Sequence, residues 1–152
     1  MLKLDGEKLL FQFFKIVIGF VFALLGCGMF LAWGFFQAAH PQDDVVAFAT
    51  MFGTGLVSAS VIGAAALIPA GIAIAVSEFG RLRGVLFHMA AGGGVAFLLW
   101  TLGSPDTTAE IRPGSSIALA GGFLAGAVYW SVAGRTAGSW LAKTESRPDG
   151  PE

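Results

Sequence analysis

Long apolar segments alternate with short polar segments along the chain. Four of the apolar segments exceed 20 residues and contain no Asp, Glu, Lys or Arg. Each can cross a bilayer as a helix, because a helix rises about 1.5 Å per residue and the hydrocarbon core is about 30 Å thick. The pattern predicts an all-α membrane protein, a four-transmembrane-helix bundle, with spans at about 16–37, 45–77, 84–103 and 115–134.

The flanking residues predict three regions. Residues 1–15 are interpreted as a cytoplasmic or interfacial arm, in which the first helix already begins near Asp5. Residues 16–140 form the predicted transmembrane domain. Residues 141–152 are mostly polar and contain two prolines, which predicts a disordered cytoplasmic tail.

The second span is longer than one crossing needs. Its 33 residues would make roughly 50 Å of helix, so it must tilt, bend or project beyond the headgroups. Pro69 is the expected bend. Two short spans joined by a tight turn are rejected, because such a turn would leave backbone groups unpaired in lipid.

The basic residues are distributed unequally between the two sides of the predicted bundle. Arg112 alone is expected on one side, and eight Lys and Arg residues are expected on the other. The positive-inside rule then places both termini in the cytoplasm, with 40–44 and 106–112 outside. The eight residues are Lys3, Lys8, Lys15, Arg81, Arg83, Arg135, Lys143 and Arg147.

Aromatic and basic residues at the span ends are predicted to anchor the bundle at the two interfaces. Trp33 and Trp100 lie at the outer ends of spans one and three. At the inner ends, the predicted anchors are Tyr129, Trp130, Arg81, Arg83 and Arg135.

Composition supports the membrane class and excludes others. Of 152 residues, 55% are hydrophobic and 12% are charged, about half the charged fraction of a soluble domain. The net charge of −1 argues against nucleic-acid binding, and one cysteine allows no intrachain disulfide. Residues 24–27 resemble a lipoprotein acylation site, but the apolar run continues beyond them, so Cys27 is interpreted as an inert small residue within a span.

Small residues recur at helical spacing within the spans and are predicted to mediate helix packing, because helices in lipid associate through close backbone contact. Packing within the chain is the first interpretation, and a face for another subunit is the alternative. A close helix crossing and a local break are both open for the Gly92–Gly94 run. The predicted packing residues are Gly55, Ala59, Gly63, Gly92, Gly93, Gly94, Gly122 and Gly126.

Candidate chemistry is sparse. His88 lies in the first turn of the third span and is expected at headgroup level. No acid or base is therefore expected deep within a span, which argues against ion-coupled transport. The hydroxyls of Thr50, Thr54 and Ser58 share a helix face. We interpret them as hydrogen-bonded to backbone carbonyls or a neighbouring helix, and the alternative is that they line a narrow polar path. His40, Asp43 and Asp44 match no metal site. No catalytic, cofactor-binding or metal-ligating residue is therefore predicted.

One C-terminal segment supports a resemblance. Residues 128–140, VYWSVAGRTAGSW, resemble the C-terminal end of small uncharacterised inner-membrane proteins of alphaproteobacteria, which carry a similar Tyr-Trp-x-x-Ala-Gly-Arg-x-Ala-Gly segment. The resemblance covers about 13 residues and implies a multi-pass protein of the bacterial inner membrane. It implies no activity.

These observations favour a non-enzymatic protein that acts by helix–helix contact, as an accessory or structural subunit or an assembly factor of a membrane complex. The expected partners are the bilayer and other membrane subunits or further copies of the chain. Small side chains are expected to fill the bundle without leaving a cavity. The alternative is a small oligomeric channel or transporter.

Overall fold

The structure of the protein, a computed structural model, describes residues 3–4, 6–36, 44–103 and 114–142. The predicted outer segments, apart from Asp44, and the tail from residue 143 onward lie outside the described residues. The elements in chain order are β1 (Lys3–Leu4), α1 (Gly6–Phe36), α2 (Val45–Phe79), α3 (Val85–Leu102), α4 (Ser115–Val132), a 3₁₀ turn (Gly134–Thr136) and β2 (Leu141–Ala142).

Each of the four α-helices is long and apolar enough to cross a membrane, which confirms the predicted fold class at that level. α2 is a single helix of 35 residues that continues through Pro69. Its first turn is capped by Asp44, whose carboxylate accepts a hydrogen bond from the Val46 N–H at 2.8 Å. α1 begins at Gly6, so most of the predicted arm belongs to the first helix.

The helices pack in the spatial order α2, α1, α4, α3. α1 contacts both α2 and α4, and α3 packs on α4, whereas α2 and α3 make far fewer contacts. Between α1 and α2, Gly28 lies against Gly55 and Ala59; a Cβ on Gly28 would be 2.9 Å from the Ala59 nitrogen. Gly63 continues the same seam against Leu24.

Glycine backbones form the α3–α4 contact. A Cβ on Gly92 would be 2.9 Å from the Gly126 nitrogen, and one on Gly122 would be 2.6 Å from the Gly92 carbonyl oxygen. α3 is helical through Gly92–Gly94, so this run makes a close crossing rather than a break. Gly93 lies against the Phe123 ring. The packing prediction is wrong for Gly94, which is exposed and has no neighbour within 4 Å of an added Cβ.

Both described ends of the chain meet at one end of the bundle, which we call the base: α1 begins, α2 ends, α3 begins and α4 ends there. Lys3 pairs with Ala142 and Leu4 with Leu141 in a short antiparallel ladder. The prediction of a disordered tail is therefore wrong at 141–142, because these residues pair with the N-terminal strand.

Candidate functional site

The α2–α3 side of the bundle contains an apolar cleft. A cavity of about 110 Å³ lies toward the base, and a second of about 550 Å³ lies toward the opposite end. Cys27, Ile62, Ala96 and Leu99 line both, so the two cavities adjoin each other, and we call them together the cleft. The expectation of a filled interior is wrong, because α2 packs on α1 and α3 packs on α4, which leaves a gap between them.

Small side chains contribute to both walls of this cleft, beside larger apolar ones such as Ile62 and Leu99. Ala66, Ala70 and Ala73 contribute from α2, and Ala91 and Ala96 contribute from α3. Among the residues that the structure describes, no Asp, Glu, Lys or Arg lines either cavity. The cleft therefore suits an apolar occupant, since a charged group would lose its hydration without gaining a partner.

His88 and Tyr129 lie beside the basal part of the cleft. Their rings stack with centroids 5.7 Å apart, and the side chains are only 4% and 7% exposed. The Nδ1 of His88 lies 2.9 Å from the Gly84 carbonyl oxygen. A carbonyl only accepts, so a neutral His88 ring bears its proton on Nδ1 and leaves Nε2 as an acceptor. Within the described part of the chain, His88 Nε2 and the Tyr129 hydroxyl have no hydrogen-bond partner.

The burial of these two rings bears on two sequence-based expectations. His88 is buried within the protein, because Tyr129 of α4 and Gly134 lie against its ring, and its level in the bilayer stays a prediction. Tyr129 is not an interface anchor, because it faces the interior of the bundle, where its ring lies against Gly19 and His88. Gly19 and Gly134 are the small residues that make room for these rings.

A buried carboxylate organises the base. Glu78, in the last turn of α2, is 5% exposed and accepts three hydrogen bonds. Gln12 Nε2 donates to its Oε1 at 2.6 Å, while the Gly138 N–H and the Trp140 indole N–H donate to its Oε2 at 2.7 and 3.0 Å. Gly138 has a φ of 67°, a conformation that favours glycine and presents its N–H to Glu78.

The same network reaches the 3₁₀ turn. Thr136 Oγ1 donates to Gln12 Oε1 at 2.8 Å, and Lys15 donates to Thr136 Oγ1 at 3.5 Å. Gln12, only 2% exposed, thus joins α1 both to α2 and to the segment after α4. The Glu78 cluster, comprising Gln12, Glu78, Thr136, Gly138 and Trp140, closes the base of the bundle.

Sequence reasoning missed the Glu78 cluster. One signal for Gln12 was present: it shares a helix face with Gly19, Ala23 and Cys27, the small residues that α1 buries. No such signal marks Glu78, because it lies in the short polar segment between the second and third spans, which is typical of a solvent-exposed connection. A buried ionisable group in a membrane protein is a functional candidate. Both carboxylate oxygens of Glu78 already accept hydrogen bonds, however, and two of the three donors belong to Gly138 and Trp140. The Glu78 cluster therefore positions the C-terminal segment.

The remaining predicted anchors lie at the helix ends. Trp33 and Trp100 are 50% and 37% exposed. At the base, Trp130 donates its indole N–H to the Arg83 carbonyl oxygen at 2.8 Å. The Arg81 side chain donates to the Leu141 carbonyl oxygen, close to the strand pair.

The described residues show no metal site. Within 3–4, 6–36, 44–103 and 114–142, no three His, Cys, Asp or Glu residues lie together as a metal site would require. Thr50 donates its hydroxyl to the Val46 carbonyl oxygen of its own helix at 2.8 Å and is exposed.

Comparisons of the chain with protein-family models, with curated proteins and with solved structures found no match.

Proposed function

We propose that this chain is a non-enzymatic integral membrane protein that acts by helix contact, as an accessory or structural subunit or an assembly factor, with the α2–α3 cleft as its contact surface. The observation that carries the proposal is the cleft itself: it is apolar, alanines contribute to both of its walls, and it lies where α2 and α3 make few contacts with each other.

Lipid chains are as apolar as the cleft, so burial of apolar surface alone does not select a partner in the membrane. Close backbone approach does, because it increases van der Waals contact. The alanine walls allow a neighbouring helix to insert larger side chains between α2 and α3. The partner in this proposal is a transmembrane helix of another subunit or of a second copy.

The alternative of an oligomeric channel or transporter has less support from this geometry. An ion crossing an apolar, uncharged cleft loses its hydration without compensation. The described polar cluster lies at the base, where its carboxylate oxygens are already paired. A conducting path would need polar groups from other copies.

For topology and location, we propose that the base faces the cytoplasm of a bacterial cell and that the protein resides in the inner membrane. The base contains Arg81, Arg83 and Arg135, and the positive-inside rule favours the cytoplasm for such residues. The resemblance of residues 128–140 supports the bacterial inner membrane. A periplasm-active reporter should be silent when fused after Glu152 and active when inserted near Gln42.

The contact surface is tested by two matched substitutions on α2. Ala73 lines the cleft, whereas Ala75, two residues away, is exposed on the outer face. Ala73→Trp should fill the cleft and reduce the mass of the complex extracted in mild detergent, while Ala75→Trp should leave that mass unchanged. Equal behaviour of the two variants would remove the cleft as the contact surface.

The same preparations distinguish the alternative function. The wild-type protein, reconstituted alone, should show neither ion conductance nor solute flux. Measurable flux that Ala73→Trp abolishes would replace the contact proposal with the transporter.

A further inference from the structure

Two arginines at the base are held around one tryptophan. The guanidinium of Arg135 lies 4.4 Å above the Trp130 ring, a cation–π arrangement. The Trp130 indole N–H fixes the Arg83 backbone through its carbonyl oxygen. The Arg83 side chain then reaches back, with its Nε donating to the Ala137 carbonyl oxygen at 3.0 Å. Arg135 is part of the turn that follows α4, and the Arg83 side chain is bonded to the same segment through Ala137.

Neither guanidinium is neutralised within the described part of the chain. Arg83 uses Nε alone, and Arg135 contacts the indole ring; no described carboxylate pairs with either side chain. Both residues are exposed. A guanidinium carries five N–H donors, so most of these donors remain available to an external anion.

The beginning of α3 adds to this positive region. Arg83 lies two residues before Val85, where α3 starts, and the N-cap residue Gly84 supplies no side-chain hydrogen bond. The first N–H groups of a helix lack partners within the helix, and the helix dipole favours negative charge there. Arg83 thus stands beside a helix end that itself attracts anions.

We propose that Arg83, Arg135 and the N-terminus of α3 form a binding site for a phosphate group. Arginine suits phosphate because its planar fork donates two parallel hydrogen bonds. The indole of Trp130 holds both arginines in place and lies at the end of a membrane span, at the depth that favours tryptophan. The phosphate can come from an anionic phospholipid headgroup or from a free phosphate.

The test measures ligand binding to the full-length protein in detergent by native mass spectrometry and by the shift in melting temperature. The probes are phosphatidylglycerol, diacylglycerol with the same acyl chains, and inorganic phosphate. Phosphatidylglycerol should bind and raise the melting temperature, while diacylglycerol should not. A response to phosphatidylglycerol alone identifies the lipid as the source, and an equal response to inorganic phosphate identifies the free anion.

The matched variants are the double substitution Arg83→Gln/Arg135→Gln and the single substitution Arg81→Gln. The double variant should weaken phosphate binding by about tenfold or more, because charged hydrogen bonds are lost. Arg81→Gln removes the same charge from the same connection, but its side chain bonds Leu141, so binding should be retained.

Arg135→Gln alone keeps the test decisive if the double variant does not fold, because the Arg135 side chain makes only the ring contact in the described structure. This variant should also bind phosphate more weakly. Equal weakening by Arg81→Gln, or unchanged binding in both Arg135 variants, would overturn the proposal.

Discussion

The α3–α4 side of the bundle and the α2–α3 side are both rich in small residues, yet one is a tight contact and the other is an open cleft. On the first side, Gly92 of α3 meets Gly122 and Gly126 of α4, backbone against backbone. On the second side, Ala70 and Ala73 line a space that none of the four described α-helices fills.

The difference shows that a small residue permits close approach without causing it. α2 packs on α1 along a narrow seam that contains Gly55, Ala59 and Gly63. α3 packs Gly92 and Gly93 against α4. α2 packs mainly on α1 and α3 mainly on α4, so the short connection between α2 and α3 does not force them together.

The largest expected effect is at the α3–α4 contact. Gly126→Leu should destabilise the bundle by about 3 kcal/mol, the upper part of the usual range for overpacking, because its Cβ would be 2.8 Å from the His88 carbonyl carbon. Unfolding of the detergent-solubilised protein, followed by circular dichroism, measures the loss. The matched control is Gly94→Leu in α3, where the space is open, and it should cost nothing measurable. Similar losses in both variants would contradict the glycine contact.

The next effect tests the base, where both sides of the bundle end. Glu78→Ala should cost about 2 kcal/mol, because Gln12, Gly138 and Trp140 would lose their acceptor. Release of the C-terminal segment should also expose Trp140 to solvent, which a red shift of tryptophan fluorescence would report. Ser131→Ala is the control, because its hydroxyl donates to the Val128 carbonyl oxygen of its own helix. Wild-type stability in Glu78→Ala would show that the cluster does not close the base.

The smallest expected effect is in the α2–α3 cleft. Ala70→Leu adds three carbons within the cleft, where there is room for them, so stability should change by less than about 1 kcal/mol. Gly122→Leu, placed in the tight contact at a similar depth, should be far more costly. The same unfolding measurement compares the two variants, and a large loss in Ala70→Leu would mean that the cleft closes in the free protein.

Much of the fold could be predicted from local patterns. The four helices, the capping of α2 by Asp44 and the single long α2 follow from hydropathy, helix length and cap chemistry. The packing role of Gly92 follows from spacing, whereas Gly94 shares the same glycine run but faces outward. A helix rotates about 100° per residue, and neighbours in one run therefore lie on different faces.

The candidate sites depended on residues far apart in the chain. Gln12 and Glu78 are 66 residues apart and Arg83 and Ala137 are 54 apart, yet each pair is joined by a hydrogen bond. Neither residue of such a pair predicts the other, because Gln12, Glu78 and Arg83 look like ordinary polar residues near helix ends and Ala137 contributes only its backbone carbonyl.

By itself, the sequence determined the number of helices, their lengths and their apolar character, because bilayer thickness and backbone hydrogen bonding act on each segment separately. Tertiary structure decided which helix faces meet. It paired α2 with α1 and α3 with α4, buried His88 and Tyr129 together, and left the α2–α3 cleft open. The physical reason is that contact between helices in lipid depends on the match of two surfaces, and one segment read alone contains only half of that match.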